Sequence, residues 1–271
     1  MHETVDRSLD TRSQDYFTTH VGSSLWVTFN RPESLNALTS DMYEGIRQAC
    51  RRAESDPTVT SLVFGGVDGS RRSFAAGSDI TAVADILDWE TYRDYEDGIS
   101  EIISAIQNLS IPTVAAIAGP CVGAGATLAL ACDLRVVADS VKLGYPMART
   151  TGGTLPPATY VLLASQVGIP RALDMLLSSR LIRAQEIVAA GLAAEVVPEV
   201  ELDEATKKLT ERISTSAPLS LKASKTEIRR LRERLAEGAV DDVRQSVFES
   251  ADYREGLTAF LEHRPPVWTG R

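Results

Sequence analysis

Over its first two hundred residues the chain alternates between short apolar runs and longer stretches whose apolar residues recur every three or four positions. Leu25-Trp26-Val27-Thr28-Phe29 is a run of the first kind, closed by the turn residues Asn30-Arg31-Pro32-Glu33-Ser34. A helix is predicted from Thr39 or Ser40 onward, with Met42, Ile46, Ala49 and Cys50 on one face. Residues 60–64 predict the next strand, and 90–109 a helix with Ile99, Ile102, Ile103 and Ile106 at core spacing. A strand over 113–117, a helix over 125–131 and a strand over 134–138 continue the alternation, which indicates an α/β core through about residue 200.

The rhythm changes after Pro198. Residues 202–217, 219–236, 241–249 and 252–263 all have helical patterns, with Pro218 and Gly238 as punctuation. A short all-helical region cannot bury its apolar stripes alone, so it is expected to pack on the core or on a neighbouring subunit. The expected division is a polar, frayed tail over 1–15, an α/β core over 16–200 and a helical region over 201–271.

Composition narrows the function classes. The 271 residues carry a formal net charge of −9, which argues against non-specific nucleic-acid binding and against adhesion to an anionic membrane. The longest apolar stretch, 111–131, is broken by Pro120 and several glycines and does not read as a membrane span. Cys50, Cys121 and Cys132 are odd in number and lack metal-ligand spacing. They read as buried structural thiols with no metal, consistent with a reducing cytoplasm. The first 15 residues have no apolar signal core.

Two turns of small residues carry the candidate chemistry: Phe74-Ala75-Ala76-Gly77-Ser78-Asp79-Ile80 and Gly119-Pro120-Cys121-Val122-Gly123-Ala124-Gly125-Ala126-Thr127. Each follows a strand-type run and leads into a helix. Small residues leave backbone N–H groups uncovered, and a helix start adds partial positive charge. Two such amides converging on one carbonyl oxygen would form an oxyanion hole. The plainer reading is tight strand–helix packing without chemistry. A dinucleotide site fits poorly, because the third glycine after Gly123-Ala124-Gly125 is replaced by Leu128 and Asp139 lies too close for a ribose-binding acid. A G-x-S-x-G nucleophile elbow is absent.

Further segments join these turns: Asn30-Arg31-Pro32 with Leu35-Asn36-Ala37-Leu38, residues 111–119, Ala131-Cys132-Asp133-Leu134-Arg135, Ala184-Gln185-Glu186 leading to Ala190-Gly191-Leu192, and Glu255 through Pro266. In order and spacing they resemble the crotonase superfamily, named for enoyl-CoA hydratase, from about residue 17 to residue 271. The resemblance implies an α/β fold with a core of repeated ββα units and a C-terminal helical trimerisation region, assembled as a homotrimer or a dimer of trimers. It implies an acyl-CoA or enoyl-CoA substrate, with coenzyme A present as part of that substrate and no permanently bound cofactor. The oxyanion donors are then the N–H groups of Ala76 and Ala124. Coenzyme A lies against Asn36, Ala37 and Leu38 and against the Ala75, Ser78, Asp79 and Ile80 turn. A neighbour's C-terminal segment, here with Phe260, His263 and Arg264, contributes; His263 stands where many members carry Lys.

The pattern breaks at the acid–base residues. Hydratases of this family use two glutamates to hold a water and to move protons. Their positions fall here on Thr127 and on Met147 or Ala148, and neither a hydroxyl nor a thioether takes up a proton usefully near neutral pH. Residues 149–157 also depart from the usual glycine-rich loop, with one residue inserted. Candidate substitutes are Asp79, Arg149, Thr127, Tyr145, Tyr92 and Tyr95. Against these roles stand a helix cap for Asp79, a structural ion pair for Arg149 and core packing for the tyrosines. The expected function is an acyl-CoA thioester enzyme resembling an enoyl-CoA hydratase or isomerase, stabilising an enolate or oxyanion with two backbone N–H groups. The alternatives are a hydrolase or decarboxylase of the same family, or a catalytically inactive CoA-thioester-binding scaffold.

Overall fold

Runs with no polar face become the central strands, since a parallel sheet is covered on both sides. A computed structural model describes residues 9–67, 69, 72–235 and 242–271, with backbone alone for 9–12. Residues 1–8 of the expected tail and Gly238 lie outside the described residues.

The chain opens with β1 (Leu9–Arg12), β2 (Tyr16–Val21) and β3 (Ser24–Phe29), followed by α1 (Ser40–Ser55) and β4 (Ser61–Gly66). Next come α2 (Thr81–Ala84), α3 (Trp89–Asn108), β5 (Thr113–Ile117), β6 (Pro120–Val122) and α4 (Ala124–Ala131). Then follow β7 (Leu134–Ala138), β8 (Lys142–Gly144), α5 (Met147–Thr150), α6 (Pro157–Val167), α7 (Ile169–Leu177), β9 (Leu181–Ile182), α8 (Ala184–Ala189) and β10 (Glu195–Val197). The chain ends with α9 (Leu202–Ser214), α10 (Pro218–Leu235), α11 (Asp242–Phe248) and α12 (Ala251–Leu261). The frayed tail expected over 1–15 is corrected at β1, which pairs antiparallel with β2.

The large sheet runs β1-β2-β3-β4-β5-β7-β10, parallel from β3 onward, and a small sheet runs β6-β8-β9. Successive passes leave the large sheet and touch the small one: β5–β6–α4 is one such ββα unit and returns at β7, whereas after β7–β8 the chain runs through α5, α6 and α7 to β9 and regains the large sheet at β10. The two earlier passes mark their second strand with single bridges, Leu38 to Ser78 and Ala75 to Cys121.

Side-chain alternation sorts the strands into two layers. Leu25, Val27, Phe29, Leu62, Phe64, Ala115 and Ile117 pack with α1, α3 and α4. Trp26, Val63, Val114, Ala116 and Val136 face the other way, onto Leu202, Ala205, Leu209 and Ile213 of α9. Of the helical region expected from 201, α9 packs on the core and completes the sheet's second face. In contrast, α10 has no buried residue and exposes Leu219, Ile228, Leu231 and Leu235. Its Lys225 ammonium reaches the Asp133 carboxylate at 2.6 Å and the Ile111 carbonyl at 2.7 Å.

Local signals place the helices. The Thr39 hydroxyl accepts the Met42 N–H to start α1, and Asp88 caps α3 by accepting the Thr91 N–H at 2.8 Å. The helix α4 is buried all round and made of small and leucine residues. Its second residue, Gly125, leaves no room for a side chain: a Cβ there would collide with the Ala75 carbonyl oxygen and the Ala75 Cβ. Gly125→Ala is expected to cost about 1–3 kcal/mol by overpacking. At about 2–4 °C per kcal/mol the melting temperature should fall by several degrees; an unchanged midpoint in thermal denaturation followed by circular dichroism would show that α4 can move away freely.

Candidate active site

The first small-residue turn is fixed by the segment before α1. Leu35 and Asn36 both adopt left-handed backbone, φ 50° and 56°. The Asn36 side chain then reaches in two directions, accepting the Arg31 N–H at 2.7 Å and donating to the Ser73 carbonyl at 2.7 Å. Leu38 N–H donates to the Gly77 carbonyl at 2.8 Å, and Asp79 N–H donates to the Leu38 carbonyl at 2.9 Å. One consequence corrects the sequence reading: the Ala76 amide is not left uncovered but donates to the Leu35 carbonyl at 3.0 Å. The next amide, that of Gly77 at φ +96°, has no acceptor among the described residues.

The second turn docks directly on the first. Val122 N–H donates to the Ala75 carbonyl at 3.0 Å, and Gly123 N–H donates to the Gly144 carbonyl at 3.0 Å. Gly123, at φ +55°, turns the chain into α4 with its Cα face against Gly77; a Cβ there would lie 3.6 Å from the Gly77 Cα. Within α4 the first amide to be satisfied is that of Thr127, by the Gly123 carbonyl at 3.0 Å. The amides of Ala124, Gly125 and Ala126 have no acceptor inside the helix, and the helix dipole adds partial positive charge to them.

The two turns border one cavity of about 780 Å³, to which Ala76, Gly77, Gly123 and Ala124 all contribute. Ala37, Ser78, Asp79 and Ile80 line it as well, and so do Phe260 and His263 of the same chain, which the sequence reading assigns to a neighbour's site. Asn36, Leu38 and Ala75 do not; they are buried and hold the turns through the contacts above. Asp79 accepts from the Thr81 hydroxyl at 2.8 Å and faces Arg31 at 3.2 Å. Burial opposes its ionisation, but Thr81 and Arg31 outweigh this and hold its carboxyl below the usual range. Arg264 is not brought to this cavity: Glu255 and Glu262 each hold its guanidinium at 2.6 Å.

At the two positions expected for glutamates, Thr127 and Met147 line the cavity and supply no acid. The Thr127 hydroxyl donates to the Gly123 carbonyl and lies 3.2 Å from the Tyr145 hydroxyl. Tyr145 is fully buried beneath it, and burial pushes its pKa up. Arg149 is exposed on α5 and does not reach the cavity, which corrects its place among the candidates. Burial also raises the thiols of Cys50, Cys121 and Cys132, so none is poised as a nucleophile. Among the described residues no cluster of His, Cys, Asp or Glu could hold a metal ion.

Besides Glu33 and Asp79, a third acidic residue lines the cavity, and the sequence reading passed over it. Glu96 lies on α3 beside Tyr92 and Tyr95, which also line the cavity. Burial pushes its carboxyl up to about 7, with Arg244 pulling the other way and Asp97 adding to the rise. A signal was present: residues 92, 96, 99, 103 and 106 form one stripe at helical spacing, and Glu96 is the only charged side chain on it.

Comparison with known proteins identifies this arrangement. A family model described as enoyl-CoA hydratase/isomerase matches residues 21–271. The chain is 34% identical over 248 residues to a putative enoyl-CoA hydratase of Thermus thermophilus, covering 89% of this chain and 95% of that one. It is 32% identical over 252 residues to the 2,3-dehydroadipyl-CoA hydratase of Escherichia coli, covering 91% and 95%. A crystal structure of an enoyl-CoA hydratase from Mycobacterium avium subsp. paratuberculosis superposes with a TM-score of 0.80 at 28% identity, over 94% of this chain and 98% of that one. Methylmalonyl-CoA decarboxylase shares the fold, with a TM-score of 0.85 at 24% identity over 96% and 100%. The chain belongs to the enoyl-CoA hydratase/isomerase family, and its fold is that of the crotonase superfamily.

Proposed function

We propose that the cavity binds an acyl-CoA thioester and stabilises the negative charge developing on its carbonyl oxygen, with backbone amides rather than a glutamate pair. The observation that carries this reading is the row of open amides at the start of α4, led by Ala124, bordering a cavity whose two usual acid positions are Thr127 and Met147. Those amides sit beside the Ala76–Gly77 turn, where the Gly77 N–H, which has no acceptor among the described residues, supplies the second donor. The coenzyme A portion lies along Ala37, Ser78, Asp79, Ile80 and Phe260. The unpaired apolar residues of α10 support assembly as a homotrimer or a dimer of trimers.

An enolate is the intermediate that this arrangement favours. Removing a proton next to the thioester carbonyl moves charge onto the oxygen, where the amides stand. Hydration demands more: a carboxylate to hold and deprotonate water, and an acid to protonate carbon. The lack of acids at 127 and 147 favours, as a second reading, a non-catalytic CoA-thioester-binding scaffold.

Two measurements test the proposal. Pro is tolerated at the first position of a helix, so Ala124→Pro removes one N–H while sparing α4. On any acyl-CoA that the native protein consumes, kcat/KM should fall about 10²–10³-fold without loss of thermal stability; undiminished turnover would remove Ala124 from the role. Crotonyl-CoA, followed by loss of the enoyl-thioester absorbance, should be hydrated poorly, because each missing acid–base group is worth about 10²–10⁴ in rate. Binding of acyl-CoA without conversion of any thioester would favour the scaffold.

A further inference from the structure

The stripe of α3 that faces the cavity runs through Tyr92, Glu96, Ile99 and Ile103, with Tyr95, Ser100, Ser104 and Gln107 beside it. Three of the four stripe residues are core-type side chains; the fourth, Glu96, is a carboxylate that makes no hydrogen bond or ion pair with any described residue. The Tyr43 hydroxyl lies 2.8 Å from the Ser78 hydroxyl, and the Tyr92 ring packs edge-on against Tyr253 of α12 with centroids 5.8 Å apart. Ser78 belongs to the same turn as Ala76 and Gly77, so this cluster adjoins the proposed oxyanion site. A structural duty for Glu96 would be to neutralise Arg244 of α11. Arg244 lowers the Glu96 pKa, but its guanidinium pairs with Asp97, whose carboxylate lies 3.3 Å away.

We propose that the Glu96 carboxylate is the acid–base catalyst of this cavity, moving a proton to and from carbon next to the thioester carbonyl. This rests on the acyl-CoA reading above. Glu96 takes the α-proton; the C–H electron pair becomes the C=C bond of an enolate, and the carbonyl π pair moves onto the oxygen facing the Ala124 amide. The carboxylic acid so formed returns a proton to the α-carbon, or to the γ-carbon of a β,γ-unsaturated thioester, so atoms and electrons balance without a co-reactant. A carboxyl ionising near neutral pH is suited to both halves of that cycle. Its ionisation feels Arg244 and Asp97 behind it and the phenols of Tyr43, Tyr92, Tyr95 and Tyr253 around it.

The test is deuterium exchange into the α-position of butyryl-CoA in D₂O, read by mass spectrometry alongside the binding constant for the same thioester. The native protein should exchange, with a rate that rises with pH and levels off above about 7, because the base must be ionised. Glu96→Gln, a neutral isostere, should slow exchange by about 10²–10⁴-fold with affinity within threefold of native. Glu96→Asp should retain measurable exchange with its pH limb displaced, and it carries the test if the Gln variant does not fold. Native-like exchange in Glu96→Gln, or binding without exchange in the native protein, overturns this inference and leaves the binding site standing. Failure of the native protein to bind butyryl-CoA overturns the acyl-CoA reading and this inference with it.

Discussion

The start of α4 must pass within backbone contact of Ala75, and the rest of the site depends on that approach. Gly125 permits it by having no Cβ, and the Val122–Ala75 hydrogen bond fixes it from the other side. A buried backbone hydrogen bond left unmade would cost about 1–3 kcal/mol, so the two turns cannot drift apart cheaply. Once α4 is held there, its first amides have no chain acceptor and no side chain to cover them. Open donors at a helix start are thus a consequence of packing, created before any ligand arrives.

The electrostatics of the cavity follow from this asymmetry. One wall presents partial positive charge from amides that cannot be neutralised internally. The α3 wall presents a carboxyl in apolar surroundings, with Arg244 engaged by Asp97 and thus only partly compensating. Burial disfavours the charged form of Glu96 while leaving it reachable from the cavity. Asp79 shows the contrasting outcome: Thr81 and Arg31 keep it ionised and occupied, which fits a structural task.

Much of the fold was legible because it rests on local patterns. The runs 113–117 and 134–138 coincide with strands and 60–64 overlaps β4, and the four C-terminal helices sit within a few residues of their expected limits. What stayed hidden depends on long-range geometry. The left-handed conformations of Leu35 and Asn36 have no glycine to announce them, and they bring the Leu35 carbonyl onto the Ala76 amide. Arg149 falls on the outer face of a four-residue helix, whose orientation no periodicity reveals. That the helical region must pack on a partner was readable, but that α9 covers the sheet's second face was not, since it is a contact between residues far apart in sequence. Glu96 was readable in principle, as a lone acid within an otherwise uncharged stripe.

The placement of the proposed chemistry bears on how this chain differs from hydratases. Amide donors belong to the backbone and survive any side-chain exchange that leaves Gly125 and the turn conformations intact. Acid–base groups are side chains and can change without disturbing the sheet or α4: Thr127 here merely bonds to Gly123 and Tyr145, and Met147 fills apolar space. Charge stabilisation on oxygen is therefore tied to the fold, whereas the carbon at which a proton moves is set by whichever wall carries a carboxyl. In the proposed reaction the carboxyl stands on α3 and not on α4, which alters the face from which a proton is delivered while the oxygen stays where the amides hold it.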